Sequence, residues 1–237
     1  MKDIDVKGTI VSDDDGWIYD YFGIENTSPS KINAALKEAA GDDVVIRVNS
    51  GGGDVFAGNE IYYAIAGYHG KTTVDITGFA ASAATIICCA GQTVRATPGM
   101  QYMIHNVSCS AYGDYNEMDH TSQILQNANK SISNIYRLKT GMSEKDLLDL
   151  MNAETWMDAE KAKSYGFIDE IIGDNGLFNS KPLTIHNSVA KILSDEVKNK
   201  IRNSVKNPGL SEQTDADVIL QKNKLQLLKL KGEIRHV

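Results

Sequence analysis

This sequence of 237 residues has few cysteines, no long apolar run and no excess of positive charge. Its three cysteines, Cys88, Cys89 and Cys109, are odd in number and lack metal-ligand spacing, so we expect buried, reduced thiols and no metal site. The most apolar run, Phe79 to Ala90, is too short to span a bilayer. The N-terminus, Met1 to Asp5, has no apolar core of the kind that a signal peptide needs. We therefore expect a cytoplasmic protein that is not attached to a membrane.

The charge of the chain is unevenly distributed. The formal net charge of −7 argues against nucleic acid as the main partner. Residues 180–237 nevertheless contain 11 Lys/Arg and 6 Asp/Glu, whereas residues 1–179 contain 13 and 25. This break predicts a folded domain over residues 1–176 and a basic, mostly helical C-terminal extension over residues 177–237. Within the extension we expect a linker near 203–214 and an amphipathic helix near 215–230.

β-Branched runs alternate with helical patterns along most of the chain, which predicts an α/β fold with helices packed on a sheet. Strands are predicted at 6–11, 44–48, 72–77, 93–96, 101–105 and 167–172, and helices near 30–40, at 55–66, at 117–139 and after Ser143. Residues Asp13 to Gly16 are predicted to form a turn. The helix at 117–139 carries an apolar stripe about 35 Å long, which needs a partner surface, either this domain's own core or a second subunit.

A serine stands at the most distinctive junction of the sequence. The β-branched run Thr72 to Thr77 ends at Gly78, and small residues around Ser82 then open an apolar helical segment. Tiny neighbours allow a substrate backbone to approach the hydroxyl, and the N–H groups at a helix start suit a developing oxyanion. We interpret Ser82 as a nucleophile.

A glycine-rich loop follows the strand at 44–48, with the sequence Asn49-Ser50-Gly51-Gly52-Gly53-Asp54. Three glycines indicate unusual backbone dihedrals and a close approach of the main chain to another group. The spacing matches neither phosphate-binding fingerprint. A peptide- or oxyanion-binding loop facing Ser82 fits better, with a plain tight turn as the alternative.

A serine nucleophile needs a base and a third group to orient that base. Among the five histidines, only His105 ends a short apolar strand, where a sheet would hold it rigidly. Glu154, Asp158 and Asp169 compete for the third position. Glu154 lies in an irregular segment that suits an active-site loop, whereas Asp158 could simply cap the following helix.

Four blocks of the sequence resemble, in order and spacing, the ClpP (S14) serine peptidases. The blocks are Asn49–Val55, Gly78–Ser82, Met103–His105 and Ala159–Asp169, and the resemblance covers residues 8–172. It implies a ClpP/crotonase-like fold of stacked ββα units, with 117–139 as the handle helix by which two rings meet. It also implies an enclosed chamber formed by self-association into rings, heptameric or paired as a double ring.

The same resemblance assigns roles to individual residues. Ser82 would be the nucleophile and His105 the general base, and no cofactor is expected. The backbone N–H groups of Gly53 (or Gly52) and Ala83 would form the oxyanion hole. The family's aspartate aligns with Glu154, with Asp158 as the second choice for that role. We expect Gly51, Asp54 and Asn106 to contact a peptide or protein substrate.

Several positions depart from the family pattern. Ser50-Gly51-Gly52-Gly53 replaces the usual Ser-Pro-Gly-Gly, Ala83 replaces a methionine, and Glu154 replaces an aspartate. Together with the basic extension, these departures resemble the phage and prophage branch implicated in head maturation, which would make capsid or scaffold protein the substrate. The N-terminal segment offers no clear docking element for an unfoldase ATPase, so we expect ATP-independent peptide cleavage.

Two other functions compete with a serine endopeptidase. An acyl-CoA enzyme of the crotonase fold would share the oxyanion loops, but it has no need of a serine–histidine pair. A catalytically silent ring or scaffold component would be indicated by loss of Ser82 or His105, and both are present.

Overall fold

The β-branched runs of the sequence form one sheet in a computed structural model of the chain, which describes residues 1–173, 197–199 and 201–202. Within these residues the sheet has eight strands. They are β1 (Lys2–Ile10), β2 (Asn26–Thr27), β3 (Val44–Gly53), β4 (Thr72–Ala81), β5 (Thr93–Ala96), β6 (Gln101–Ile104), β7 (Thr155–Met157) and β8 (Glu170–Ile171). The predicted domain boundary at residue 176, the linker near 203–214 and the helix near 215–230 lie outside the described residues.

The strand order is β2-β1-β3-β4-β5-β8, and neighbouring strands along this path are parallel. β4 changes partner along its length: Thr73–Ile76 pair with β5, whereas Phe79–Ala81 pair with β6. β6 in turn pairs with β7 in antiparallel orientation. Because β3 and β4 lie inside the sheet, their first halves are mostly apolar or β-branched, and Arg47 and Asp75 are the charged exceptions.

Seven helices connect these strands within the described residues. They are α1 (Asp13–Tyr21), α2 (Pro29–Ala39), α3 (Val55–Ala66), α4 (Ala83–Cys88), α5 (Tyr115–Thr140), α6 (Glu144–Asn152) and α7 (Ala159–Ser164). The main core lies between the sheet and these helices and includes Ile46, Ile76, Ile86 and Phe167. The predicted α/β class is confirmed, and the predicted handle helix is α5, longer by two residues at its start and one at its end.

Two local predictions are wrong. Asp13 to Gly16 belong to α1 rather than to a turn, because three aspartates in the first turn favour a helix through its dipole. Cys109 is exposed, whereas Cys88 is buried and Cys89 half-buried, so the expectation of buried thiols fails for one of the three cysteines.

The described part of the C-terminal extension contacts α1. Val197 and Ile201 pack against a small cluster formed by Val11, Ile18 and Tyr19. The Asp15 carboxylate, whose side chain is 14% exposed, pairs with Lys198 at 3.0 Å and with Arg202. This described segment of the extension is therefore attached to the main domain through a small apolar cluster and two ion pairs.

Candidate active site

The nucleophile predicted from the sequence lies at the turn between β4 and α4. Ser82 has φ 55° and ψ −128°, a conformation that normally belongs to glycine. Such a conformation costs about 1–3 kcal/mol and persists only where the surroundings impose it. Here the Ser82 N–H donates to the carbonyl of Met103 at 3.0 Å, which ties the turn to the end of β6. The turn exposes the hydroxyl above the carboxyl end of the sheet.

His105 follows β6 directly and reaches the serine. Its Nε2 atom lies 2.8 Å from the Ser82 Oγ atom. Burial lowers the pKa of His105, and the negative charge of Glu154 acts in the opposite direction with a smaller effect. A lowered pKa keeps the imidazole neutral near pH 7, which is the form that can accept the serine proton.

The three competing carboxylates occupy different environments. Glu154 lies between α6 and β7 with φ 47°, and β7 places it beside His105 because Thr155 pairs with Ile104. Asp158 caps α7 by accepting from the Lys161 N–H at 2.8 Å. Asp169 accepts from the Val94 N–H at 2.7 Å and pairs with Lys139. Of the three, Glu154 is the one whose charge acts on His105.

Glu154 acts on His105 through its charge rather than through a direct bond. Its Oε1 atom accepts from the Trp156 indole at 3.3 Å. Among the described residues the structure shows no hydrogen bond between Glu154 and His105. The carboxylate is exposed, so it can turn from the indole towards the imidazole at little cost in packing.

The glycine-rich end of β3 packs directly against the Ser82 turn. A Cβ atom on Gly52 would lie 2.6–2.8 Å from the Ala81 oxygen, the Ser82 Cβ and the Ala83 nitrogen, so only glycine fits. The Gly52 N–H already donates to Ser50 Oγ at 3.1 Å. This bond favours the N–H groups of Gly53 and Ala83 over that of Gly52 as oxyanion donors.

The three residues predicted to contact substrate differ in their surroundings. Gly51 is half-buried in β3. The Asp54 carboxylate caps α3 by accepting from the Ala57 N–H at 2.8 Å, so that side chain already has a structural partner. Asn106 lines the cleft beside Ser82 and donates to Asn152 Oδ1 at 2.7 Å. Within the described residues its own Oδ1 atom is buried without a hydrogen-bond partner.

A small cleft opens between Ser82 and His105. Its walls are mostly apolar and include Val55, Ile86, Val107 and Ile132. Tyr136 of α5 completes the lining. The cleft is suited to an apolar side chain next to a reacting carbonyl.

Sequence reasoning missed two residues behind the nucleophile. The Thr85 hydroxyl donates to the Ser82 carbonyl at 2.6 Å and lies 2.6 Å from the Tyr136 hydroxyl. The signals were a threonine inside the apolar run Phe79 to Ala90 and a tyrosine beside the α5 stripe, but neither indicates a partner by itself.

The described residues contain neither a metal-binding cluster nor a membrane-spanning helix. No group of three or more His, Cys, Asp or Glu side chains there is arranged to hold a metal ion. None of the helices in this part of the chain has the length and hydropathy needed to cross a membrane.

The sheet order and the serine–histidine pair define an α/β protein of the ClpP-like class, and comparison with known proteins gives the family. A family model described as Clp protease matches residues 24–175. The ATP-dependent Clp protease proteolytic subunit of Bacteroides fragilis is 32% identical over 134 residues, which are 56% of this chain and 65% of that protein. The ATP-dependent Clp protease proteolytic subunit 1 of Chlamydia abortus is 33% identical over 137 residues, covering 56% of this chain and 71% of that protein.

A solved structure agrees on the fold. A ClpP1 mutant from Listeria monocytogenes superposes with a TM-score of 0.59 at 23% identity, covering 74% of this chain and 94% of that one. The chain thus belongs to the Clp protease family. Its match spans 65% of the length of the first relative, which is less than two thirds.

Proposed function

We propose that this chain is a serine endopeptidase that cleaves peptides through an acyl-enzyme. The observation that carries the proposal is the 2.8 Å contact between His105 Nε2 and Ser82 Oγ at a backbone turn that serine adopts only under constraint. A nucleophile within hydrogen-bond reach of its base is the geometric signature of covalent acyl transfer. Membership of the Clp protease family supports the same activity.

The reaction follows from this geometry. Ser82 Oγ attacks the scissile carbonyl carbon while His105 Nε2 takes the hydroxyl proton, and the N–H groups of Gly53 and Ala83 bind the resulting oxyanion. Collapse of the adduct breaks the C–N bond, and the leaving amine takes the proton from His105. Water then attacks the acyl ester with His105 again as base, which releases the carboxylic acid and restores the Ser82 hydroxyl.

Glu154 contributes by stabilising the imidazolium that forms on His105 in each half of the reaction. Its charge raises the pKa of His105 against the effect of burial. This is the role of the carboxylate in serine triads, where it orients the imidazole and favours its charged form without taking the proton itself. Asp158 is less suited to this role because its carboxylate caps α7.

Self-association is part of the proposal, because α5 leaves apolar side chains uncovered. Only Ile132, Ser133 and Tyr136 of this 26-residue helix are buried. Ile124 is 52% exposed and Leu138 77% exposed. Exposed apolar residues on a long helix mark an interaction surface. We infer that α5 packs against other copies of the chain in rings that enclose the active sites.

The finer function is peptide cleavage during phage or prophage head maturation, with a capsid or scaffold protein as substrate. It is supported by the Ser50–Gly53 sequence, by Ala83 after the nucleophile and by Glu154 in place of aspartate. Cleavage is expected without an ATPase partner. The three cysteines form no disulfide within the described residues, which fits a cytoplasmic location.

Labelling with a fluorophosphonate probe tests the endopeptidase proposal. The wild type and Ser82→Ala are separated by size, labelled and analysed by mass spectrometry. Labelling of Ser82 alone, on a large assembly and absent from the variant, supports a compartmentalised serine peptidase. Absence of labelling in well-folded wild type would contradict it and favour a silent scaffold component.

A further inference from the structure

A buried chain of hydroxyl groups connects the handle helix to the nucleophile turn. Thr85 on α4 is fully buried and Tyr136 on α5 is 2% exposed. The Thr85 hydroxyl contacts the Ser82 carbonyl oxygen at 2.6 Å and the Tyr136 hydroxyl at 2.6 Å. Two polar side chains from different helices thus meet behind the serine.

The donor and the acceptor in each of these hydrogen bonds follow from the single proton that each hydroxyl group carries. A carbonyl oxygen can only accept, so the single Thr85 hydroxyl proton must point to Ser82. Thr85 Oγ1 can then only accept from Tyr136, whose phenolic proton is the donor. Burial raises the pKa of Tyr136, so this proton stays in place throughout the pH range of an assay. The order is Tyr136 to Thr85 to the Ser82 carbonyl.

The Ser82 carbonyl shares its peptide group with the Ala83 N–H. Because a trans peptide is planar, fixing the oxygen on the Thr85 side directs the N–H to the opposite side. The Ala83 nitrogen lies against Gly52, the residue that precedes Gly53 in the chain. Hydrogen bonds to a carbonyl also polarise the amide and strengthen its N–H as a donor. Two such bonds reach this carbonyl, one from the Thr85 hydroxyl and one from the Thr85 N–H at 2.9 Å.

We propose that Thr85 and Tyr136 are positioning residues that orient and polarise the Ser82–Ala83 peptide, so that its N–H is held ready for the oxyanion. The inference rests on the proposed peptidase function and deepens it. It also makes the site depend on α5, because the first donor of the chain belongs to the helix that we expect to mediate ring contacts. The edge-to-face contact of Tyr136 with Phe167, at 5.5 Å, fixes the ring that carries this donor.

Tyr136→Phe tests the proposal because it removes only the terminal hydroxyl. Tyr102→Phe is the matched control: the Tyr102 hydroxyl is also buried and donates to the Thr85 backbone carbonyl at 3.2 Å, but it does not join the chain to Ser82. That carbonyl keeps its bond from the Cys89 N–H in the control. The readouts are the maximal rate of inactivation by a fluorophosphonate, the inhibitor concentration at half-maximal rate, and the inhibition constant of a peptide boronate.

For Tyr136→Phe we expect a roughly tenfold lower maximal rate of inactivation and a roughly tenfold higher inhibition constant for the boronate. Removal of a remote polarising group should slow the reaction less than removal of an oxyanion donor itself. The inhibitor concentration at half-maximal rate should stay within about twofold of the wild-type value, because ground-state binding is unaffected. Thr85→Val should reproduce the loss and Thr85→Ser should restore the rate. The Tyr136→Phe/Thr85→Val double variant should be no slower than Thr85→Val alone, since both changes break one chain.

Three other results would contradict the positioning role, and one of them would also contradict the proposed function. Equal rates in Tyr136→Phe and Tyr102→Phe, in folded proteins of unchanged assembly size, would overturn the positioning role while leaving the peptidase proposal intact. A higher inhibitor concentration at half-maximal rate, with the maximal rate unchanged, would indicate that Tyr136 only forms a wall of the cleft and has no positioning role. Wild-type protein without Ser82-dependent labelling would overturn the proposed function, and this inference with it.

Discussion

The backbone N–H of Ser82 donates a hydrogen bond to the carbonyl oxygen of Met103. His105 stands two residues beyond Met103, so the strand that carries the base also holds the backbone of the nucleophile. The parallel pairing of Ala81 with Met103 extends this connection into the sheet. The distance between serine and histidine is therefore set by strand register, which is more precise than positioning by loops.

The conformation of Ser82 predicts an unusual effect on stability. Ser82→Gly and Ser82→Ala both lack the nucleophile and should both be inactive. Because φ 55° and ψ −128° suit glycine, Ser82→Gly should be more stable than Ser82→Ala by about 1 kcal/mol, despite the entropy cost of glycine. Urea unfolding of the two variants measures the difference. Greater stability of Ser82→Ala would show that the turn is not strained.

Glu154→Gln should lower turnover by about a hundredfold or more, as removal of the orienting charge does in triads. The change removes the one charge in the described part of the chain that raises the pKa of His105, leaving burial, which lowers it. Activity requires neutral His105 and is lost as pH falls through its pKa. The acidic limb of the pH–rate profile should therefore move to lower pH in Glu154→Gln.

Asp158→Asn is the control for this assignment. Asparagine caps helices as well as aspartate does, so the α7 cap at Lys161 should persist and activity should change little. If Asp158→Asn impaired turnover and Glu154→Gln did not, the third member of the site would be Asp158.

The sequence predicted those parts of the fold and site that depend on local pattern. Glycine- and proline-flanked runs gave the bounds of α3 and β5 correctly, and the Gly78–Ser82 pattern predicted the junction between strand and helix at which Ser82 stands. The missed helix α1 shows where pattern is ambiguous, because three aspartates followed by glycine are typical of turns as well as of helix starts.

Contacts between distant parts of the chain were beyond prediction from one sequence. Thr85 and Tyr136 are separated by 51 positions, and only the packing of α4 on α5 brings their hydroxyl groups together. The position of Glu154 beside His105 depends likewise on the pairing of β6 with β7. Residue type predicted candidates for the third position, and tertiary packing brings one of them, Glu154, to where its charge acts on His105.

The ion pairs between α1 and the extension predict a change in protease sensitivity. Asp15→Lys places a third cation beside Lys198 and Arg202, and should free this segment from α1. Tryptic cleavage at these two residues should become at least about fivefold faster, since about 1 kcal/mol shifts an opening equilibrium by that factor. Asp14→Lys is the control, because Asp14 has the same charge on the same helix but is exposed. Equal cleavage in both variants would argue against docking through Asp15.

Two truncations should separate the docked segment from the rest of the extension. Deleting residues 203–237 retains Val197 to Arg202 and should leave the thermal transition of the main domain nearly unchanged. Deleting residues 197–237 uncovers the cluster of Val11, Ile18 and Tyr19, and should lower the transition by a few degrees, in line with about 1 kcal/mol. Differential scanning calorimetry compares the two proteins. Loss of the transition in the shorter deletion would show that the main domain needs residues beyond 202.

A charge in place of an exposed apolar residue of α5 should break the assembly without unfolding the chain. Ile124 is 52% exposed in the single chain, so Ile124→Asp costs little within the protomer, but burying the carboxylate in a ring contact costs several kcal/mol. Gln126→Asp introduces the same charge on the opposite side of the helix, 200° away at 100° per residue, and is the control. Size-exclusion chromatography with light scattering should show a smaller species for Ile124→Asp only. If both variants kept the wild-type mass, α5 would not be the surface through which the copies associate.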